Sequence, residues 1–220
     1  MTARKSKSPR DLSRFPWRFP ALVEDGRLYI ESIDIIAQVA GPNSPLANVG
    51  DETLLKMADE AQLDLKLLTF EFLFRAGPPP PAEAIEAFKK GHQNAWLQQF
   101  RVDFASGFDP DRINGAIART DKAFEHLNTV LSDGRAFLEG STFTLIDIAW
   151  MPNVHRFQLM DWPFERTPHL LAWFERVSAR PSYNEALLDW QAAPAIKSFA
   201  AYTKRRQSEG TDIRSFSCFR

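Results

Sequence analysis

The chain has a single cysteine, Cys218, among 220 residues. No internal disulfide can form, and a reducing compartment is the simple inference. Its four histidines, His92, His126, His155 and His169, fall at no close ligand spacing, which speaks against a structural or catalytic zinc, so no metal is expected. No stretch approaches the ~18 apolar residues of a spanning helix, and the basic N-terminus has no apolar segment behind it. Neither a membrane partner nor a secretory leader is expected, and a cytoplasmic protein is. Charge of neither sign predominates: 27 Lys and Arg against 28 Asp and Glu give a formal net charge of -1, no reason to expect nucleic acid as a partner. A phosphate-binding glycine loop, a nucleophile elbow and a metalloprotease motif are all missing.

What the chain does have is apolar surface arranged for helices. With 44% hydrophobic and 25% charged residues it has the composition of a folded globular protein. Its 18 Phe and 6 Trp recur at helical spacing, which assigns most of them to a core. The densest set of signals lies between Phe137 and Pro181. Thr144-Leu145-Ile146-Asp147 is a capping box in which Asp147 at N3 reaches back to the backbone of Thr144, and Phe143 with Ile148 forms a hydrophobic staple. The helix beyond the box is apolar on almost every side (Leu145, Ile148, Ala149, Trp150, Met151, Val154, Phe157, Leu159), the mark of a buried central helix. Pro152 inside it removes one backbone hydrogen bond and predicts a kink. His155 and Arg156, in the middle of that helix, read as a satisfied buried or half-buried pair.

In order and spacing, Phe137-Leu138-Glu139-Gly140, Phe143 to Ala149, Pro152, Arg156, Pro168, Trp173 and Arg180-Pro181 resemble the C-terminal helical domain of the glutathione transferase family. In that family the capping box is a folding element, so the resemblance implies a fold and leaves catalysis to the residues upstream. There, Phe19 to Ile36 reads as an apolar run, a Glu-Asp-Gly turn, a second β-rich run and a helix start: a hairpin followed by a helix. It is similar to the second half of the family's thioredoxin-like domain. The resemblance implies a cis proline at Pro20 that leaves the backbone of Phe19 free for the cysteinyl part of glutathione. It also makes Glu31-Ser32 the pair that opens the next helix and receives the γ-glutamyl end. A hydroxyl and unpaired N–H groups at a helix N-terminus favour a carboxylate, and a nearby acid can hold its ammonium. The glutathione-binding candidates are therefore Phe19, Pro20, Glu31 and Ser32. On the hairpin alone, Ser32 is only a cap and Pro20 only a strand-edge proline.

One part of the family pattern does not fit. The βαβ unit that carries the sulfur-activating Tyr, Ser or Cys needs ~30 residues, and eighteen precede Phe19. Those residues carry four basic side chains in the first ten positions and no apolar alternation, so they read as a disordered arm. No catalytic residue is assigned. A hairpin and one helix without further strands are marginal, and residues 1–40 are expected to be the least stable part of the molecule.

Residues 41–46 (Gly-Pro-Asn-Ser-Pro-Leu) break this region from the rest. Beyond them Leu54, Ala58, Ala61, Leu65, Leu68 and Phe72 form one apolar stripe and Leu63, Leu67, Phe70 and Phe74 a second. One stripe meets the domain's own core. The other lines an acceptor pocket, meets a second subunit as in family dimers, or is covered by an added helix predicted over residues 82–106 (Ile85, Phe88, His92, Trp96, Phe100). Asp109-Pro110 then starts a helix along Ile113, Ile117, Thr120, Phe124, Leu127 and Leu131. The last two dozen residues are locally basic, with Lys197, Lys204, Arg205, Arg206, Arg214 and Arg220 against Glu209 and Asp212, and read as a solvated tail.

The expected fold is mainly α: a disordered arm (1–14), a partial thioredoxin-like β-hairpin and helix (15–41), a glutathione transferase C-terminal-type helical bundle (51–192) and a tail (193–220). The function implied by the resemblance is glutathione binding, with conjugation to a hydrophobic electrophile and a possible homodimer, although the catalytic part of the N-terminal domain is missing. Whether such a chain is an active enzyme stays open. The alternatives are a non-catalytic scaffold of the same fold, or an incomplete version of an enzyme.

Overall fold

The computed structural model describes residues 21–44, 46, 50–216 and 219. Phe19, Pro20, the arm at 1–14 and Cys218 lie outside them. Strands β1 (Leu22–Glu24) and β2 (Arg27–Tyr29) pair antiparallel, with Leu22 opposite Tyr29 and Glu24 opposite Arg27. Asp25 and Gly26 make the turn at φ 47° and 76°, the two left-handed residues that a tight hairpin with right-twisted strands requires. Helix α1 (Ser32–Ala40) comes next and ends at Gly41. Gln38 fastens it to the hairpin, accepting from the Tyr29 hydroxyl (3.1 Å) and donating to Glu24 (2.6 Å). No residue of α1 is fully buried.

The remainder is a helical bundle. Helix α2 (Glu52–Phe72) starts at Asp51, whose side chain accepts from the amides of Thr53 and Leu54. Helices α5 (Pro110–Val130) and α6 (Leu145–Leu159) are its main neighbours. Asp109 and Pro110 open α5 as cap and first residue. Phe124, Leu127, Trp150, Val154, Phe157 and, from α7 (Pro168–Ser178), Leu170 and Trp173 fill the centre, each at most 2% exposed. The short α8 (Pro181–Ala186) and the long α9 (Ala193–Glu209) complete the chain.

The capping box read in the Phe137–Pro181 region is formed. Asp147 is fully buried and takes four hydrogen-bond donors. One carboxylate oxygen accepts from the amide of Thr144 (2.9 Å) and its hydroxyl (3.5 Å), the other from the amide of Leu138 (3.0 Å) and the indole of Trp173 (2.8 Å). The capping box thus locks α6, the 138–144 turn and α7 together. Helix α6 runs through Pro152, which has no N–H to offer Ile148, while the side chain of Asn153 donates to Ala149 and accepts from Gln62 of α2.

Two expectations are corrected. The helix predicted over residues 82–106 is two: α3 (Ala82–Gly91) and α4 (Ala95–Ser106). The break comes from side chains that satisfy the backbone locally. Asn94 caps α4 by accepting from Leu97 (3.1 Å), and Gln98 donates back to the carbonyls of Lys89 and His92. The basic C-terminal stretch is no mere solvated tail. Tyr202 of α9 is buried and donates to the Glu71 carbonyl, Arg206 pairs with Glu71 at 2.7 Å, and Arg214 pairs with Asp161 and Glu165.

Candidate functional site

The Glu31–Ser32 step comes directly off β2. Glu31 is the N-cap of α1 in extended conformation (φ -94°, ψ 130°), Ser32 is the first helical residue, and both are exposed. The Glu31 side chain makes no capping hydrogen bond to the first turn. An exposed hydroxyl, an adjacent carboxylate and helix-terminal N–H groups therefore meet at one point, the donor and acceptor set that a zwitterionic amino-acid end requires. Asp34, also in the first turn, sets a second negative charge there. The structure brings Glu31 and Ser32 together; Phe19 and Pro20, which the resemblance places with them, are outside the described residues.

Helix α1 packs on β2 and on α6. In the middle of α6 the expected His155–Arg156 pair divides into two different cases. His155 is buried and satisfied: Nδ1 is 2.6 Å from the Tyr183 hydroxyl and Nε2 meets the side-chain amide of Gln191. Burial first, and then the charge of Arg156, lower its pKa to about 4, so the ring is neutral at neutral pH. Arg156 corrects the expectation, because its half-buried guanidinium has no hydrogen bond or ion pair among the described residues. Burial alone lowers its pKa. The sequence carried no signal for this, since an arginine's partner is set by tertiary packing.

The second apolar stripe of α2 has a mixed fate. Phe70 is covered by the added helix, edge-on to Phe100 and Phe104 at 5.0 Å each, and Leu67 is buried. Leu63 stays 58% exposed. Beside it, α2, α4 and α5 enclose an open cleft of about 540 Å³. Met57, Leu63, Leu67 and the Trp96 indole give it apolar walls, and the bidentate Arg119–Asp64 pair (2.8 and 2.7 Å) ties α5 to α2 beside them. The inserted helix therefore both covers the stripe and shapes a pocket. Asn94, readable as an N-cap, was the available sequence signal for where α4 starts; the pairing of Asp64 with Arg119 had none. Among the described residues no three of His, Cys, Asp or Glu gather as a metal site, and no helix is long and apolar enough to cross a membrane.

Residues 94–176, from the cap of α4 into α7, match the model of the glutathione S-transferase C-terminal domain. An 82-residue stretch is 32% identical to the tetrachloro-p-hydroquinone reductive dehalogenase of Sphingobium chlorophenolicum, a match covering 36% of this chain and 32% of that relative. Among solved structures, an epsilon-class glutathione S-transferase from the housefly Musca domestica aligns with a TM-score of 0.46 at 20% identity, over 84% of this chain and 73% of its own. Glutathione S-transferase 1-6 from Anopheles dirus species B aligns with a TM-score of 0.39 at 18% identity, over 87% and 76%. The domain match relates residues 94–176, within the helical domain, to the glutathione transferase family. The match spans about a third of the curated relative's length.

Proposed function

We propose that the chain binds glutathione at the start of α1 and presents it to a hydrophobic electrophile, with the partial thioredoxin-like unit at 15–41 and the helical domain at 51–192. The observation that carries this reading is the exposed Glu31–Ser32 step at the N-terminus of α1. In it, the Ser32 hydroxyl and first-turn amides take the γ-glutamyl carboxylate and Glu31 takes the ammonium. Phe19 supplies backbone groups to the cysteinyl unit, with Pro20 holding them clear. The guanidinium of Arg156, which has no hydrogen bond or ion pair among the described residues and lies on the helix against which α1 packs, adds a cation for an anionic ligand. The printed name of the bacterial relative suggests a polychlorinated hydroquinone as one electrophile to screen. Cytoplasmic location and homodimer formation belong to the same proposal, and no catalytic residue is assigned within it.

Calorimetric titration with glutathione, repeated with Ser32→Ala and Glu31→Gln, tests the reading. Saturable binding that each substitution weakens about tenfold, as loss of one charge-assisted contact would cause, is the expected result. A folded, helical protein that takes up no glutathione would sink it and leave a scaffold role for this fold.

A further inference from the structure

Helix α9 has two unlike faces. Phe199, Tyr202 and Arg206 turn toward the bundle, where Tyr202 and Arg206 are fastened to Glu71 of α2. On the opposite side Lys197, Ala201, Lys204 and Ser208 recur at the spacing of a single helical face, and all four are exposed, as is Arg205 beside them. The side chains of Lys197, Lys204 and Arg205 have no hydrogen bond or ion pair among the described residues, although the Arg205 guanidinium rests over the Tyr202 ring at 4.9 Å. Acids on the neighbouring elements are already taken: Glu71 by Arg206, Asp161 and Glu165 by Arg214. From position 190 to 208 the chain has four Lys and Arg and no Asp or Glu, with Asp189 and Glu209 as the acids at its two ends. A chain of formal net charge -1 thus carries an uncompensated cationic stripe.

At the head of α9 stands Trp190, 82% exposed and the most exposed large apolar side chain among the described residues. Its indole N–H donates to the Glu185 carbonyl at 2.9 Å, which fixes the ring on the surface, and Leu188 before it is 39% exposed. Water gains nothing from such a ring. An exposed Trp next to cations is the composition that settles at the headgroup level of a bilayer, with the indole in the interface and the ammonium and guanidinium groups against anionic lipid. Nucleic acid suits this surface less well, because a base-stacking surface interleaves aromatic rings with its cations, and here alanine and serine fill the exposed positions between them.

We propose that the outer stripe of α9, with Trp190 as its apolar anchor, docks peripherally and reversibly on an anionic lipid surface. Such docking requires no spanning segment, the feature whose absence in the sequence argued against a membrane partner.

Co-sedimentation of the full chain with vesicles of equal parts phosphatidylserine and phosphatidylcholine tests it, against vesicles of phosphatidylcholine alone and a duplex DNA oligomer. The expected result is saturable binding to the anionic vesicles that weakens as salt is added, no binding to the neutral ones, and a shift of tryptophan emission to shorter wavelength. Lys197→Gln and Lys204→Gln, both exposed and opposite the packed face of α9, should each weaken binding about fivefold. Trp190→Ala should weaken it about tenfold, as loss of a half-buried large apolar side chain would, and abolish the emission shift. No binding to the anionic vesicles, equal affinity for the neutral ones, affinity unchanged in the lysine variants or in Trp190→Ala, or tighter binding to duplex DNA than to the anionic vesicles would each overturn the proposal.

Discussion

The N-terminal segment and the bundle are built to different standards of closure. In residues 21–41 a hairpin of two three-residue strands and a nine-residue helix bury no side chain fully, and Val23 and Val39 are 44% and 72% exposed. In the bundle, Trp150 and Trp173 are at 0% exposure and a carboxylate is closed in with all its donors. The part with the chemistry proposed for glutathione is held by a few polar links and by packing against α6, whereas the part with the family's folding signals holds itself. Local stability follows buried apolar contact, so the binding chemistry proposed for glutathione falls on the region with the least of it.

The largest way to test that contrast is to open the bundle. Trp150→Ala removes a fully buried indole that donates to the Leu54 carbonyl at 3.0 Å, and should cost about 3–5 kcal/mol in urea unfolding. Asp147→Ala strands the amides of Leu138 and Thr144 and the Trp173 indole, for about 3 kcal/mol; a loss below about 1 kcal/mol would remove the capping box from the account of bundle stability.

A pH titration comes next. His155 is held at about 4 in the folded protein against 6.5 for an ordinary histidine, so between those values the unfolded chain binds the proton more readily. Stability from this group is intact above pH ~6.5 and falls as the pH drops toward 4, by up to about 3 kcal/mol. Comparison with His155→Gln isolates the contribution, because burial raises the pKa of Asp147 and gives a slope of the opposite sign in the acid range. A wild-type slope identical to that of His155→Gln would contradict the assignment.

Arg206→Met leaves Glu71 with Arg75 alone and should cost about 2 kcal/mol, with amide exchange accelerated first in α9. The smallest effect belongs to the segment: Gln38→Ala unties α1 from the hairpin. It should speed exchange in residues 22–40 while moving the global unfolding midpoint by less than about 1 kcal/mol. A large global loss would mean that the segment belongs to the bundle's cooperative unit.

The same contrast explains what the sequence could reveal. The Thr144–Asp147 box, the Asp109-Pro110 start and the Asp25-Gly26 turn are local devices, written in neighbouring residues, and each is present as read. The break at 92–94 is hidden because the 82–106 stripe continues across it; Asn94 and Gln98 override the periodicity by satisfying the backbone themselves. The burial of Tyr202 and Arg206 against α2 is masked by composition, since a basic stretch reads alike whether solvated or clamped to a carboxylate 135 residues away. Glu31 and Ser32 are legible as neighbours at a helix start, but the cleft of Trp96, Leu63 and Lys122 needs three helices to be assembled first.

The most direct test is native-state amide exchange with and without glutathione. Residues 21–41 should exchange fastest among the described residues of the free chain, and glutathione should slow them while leaving Trp150 and its neighbours in α6 unchanged. Protection in 21–41 already equal to that of α6, or a glutathione effect confined to the bundle, would contradict the account.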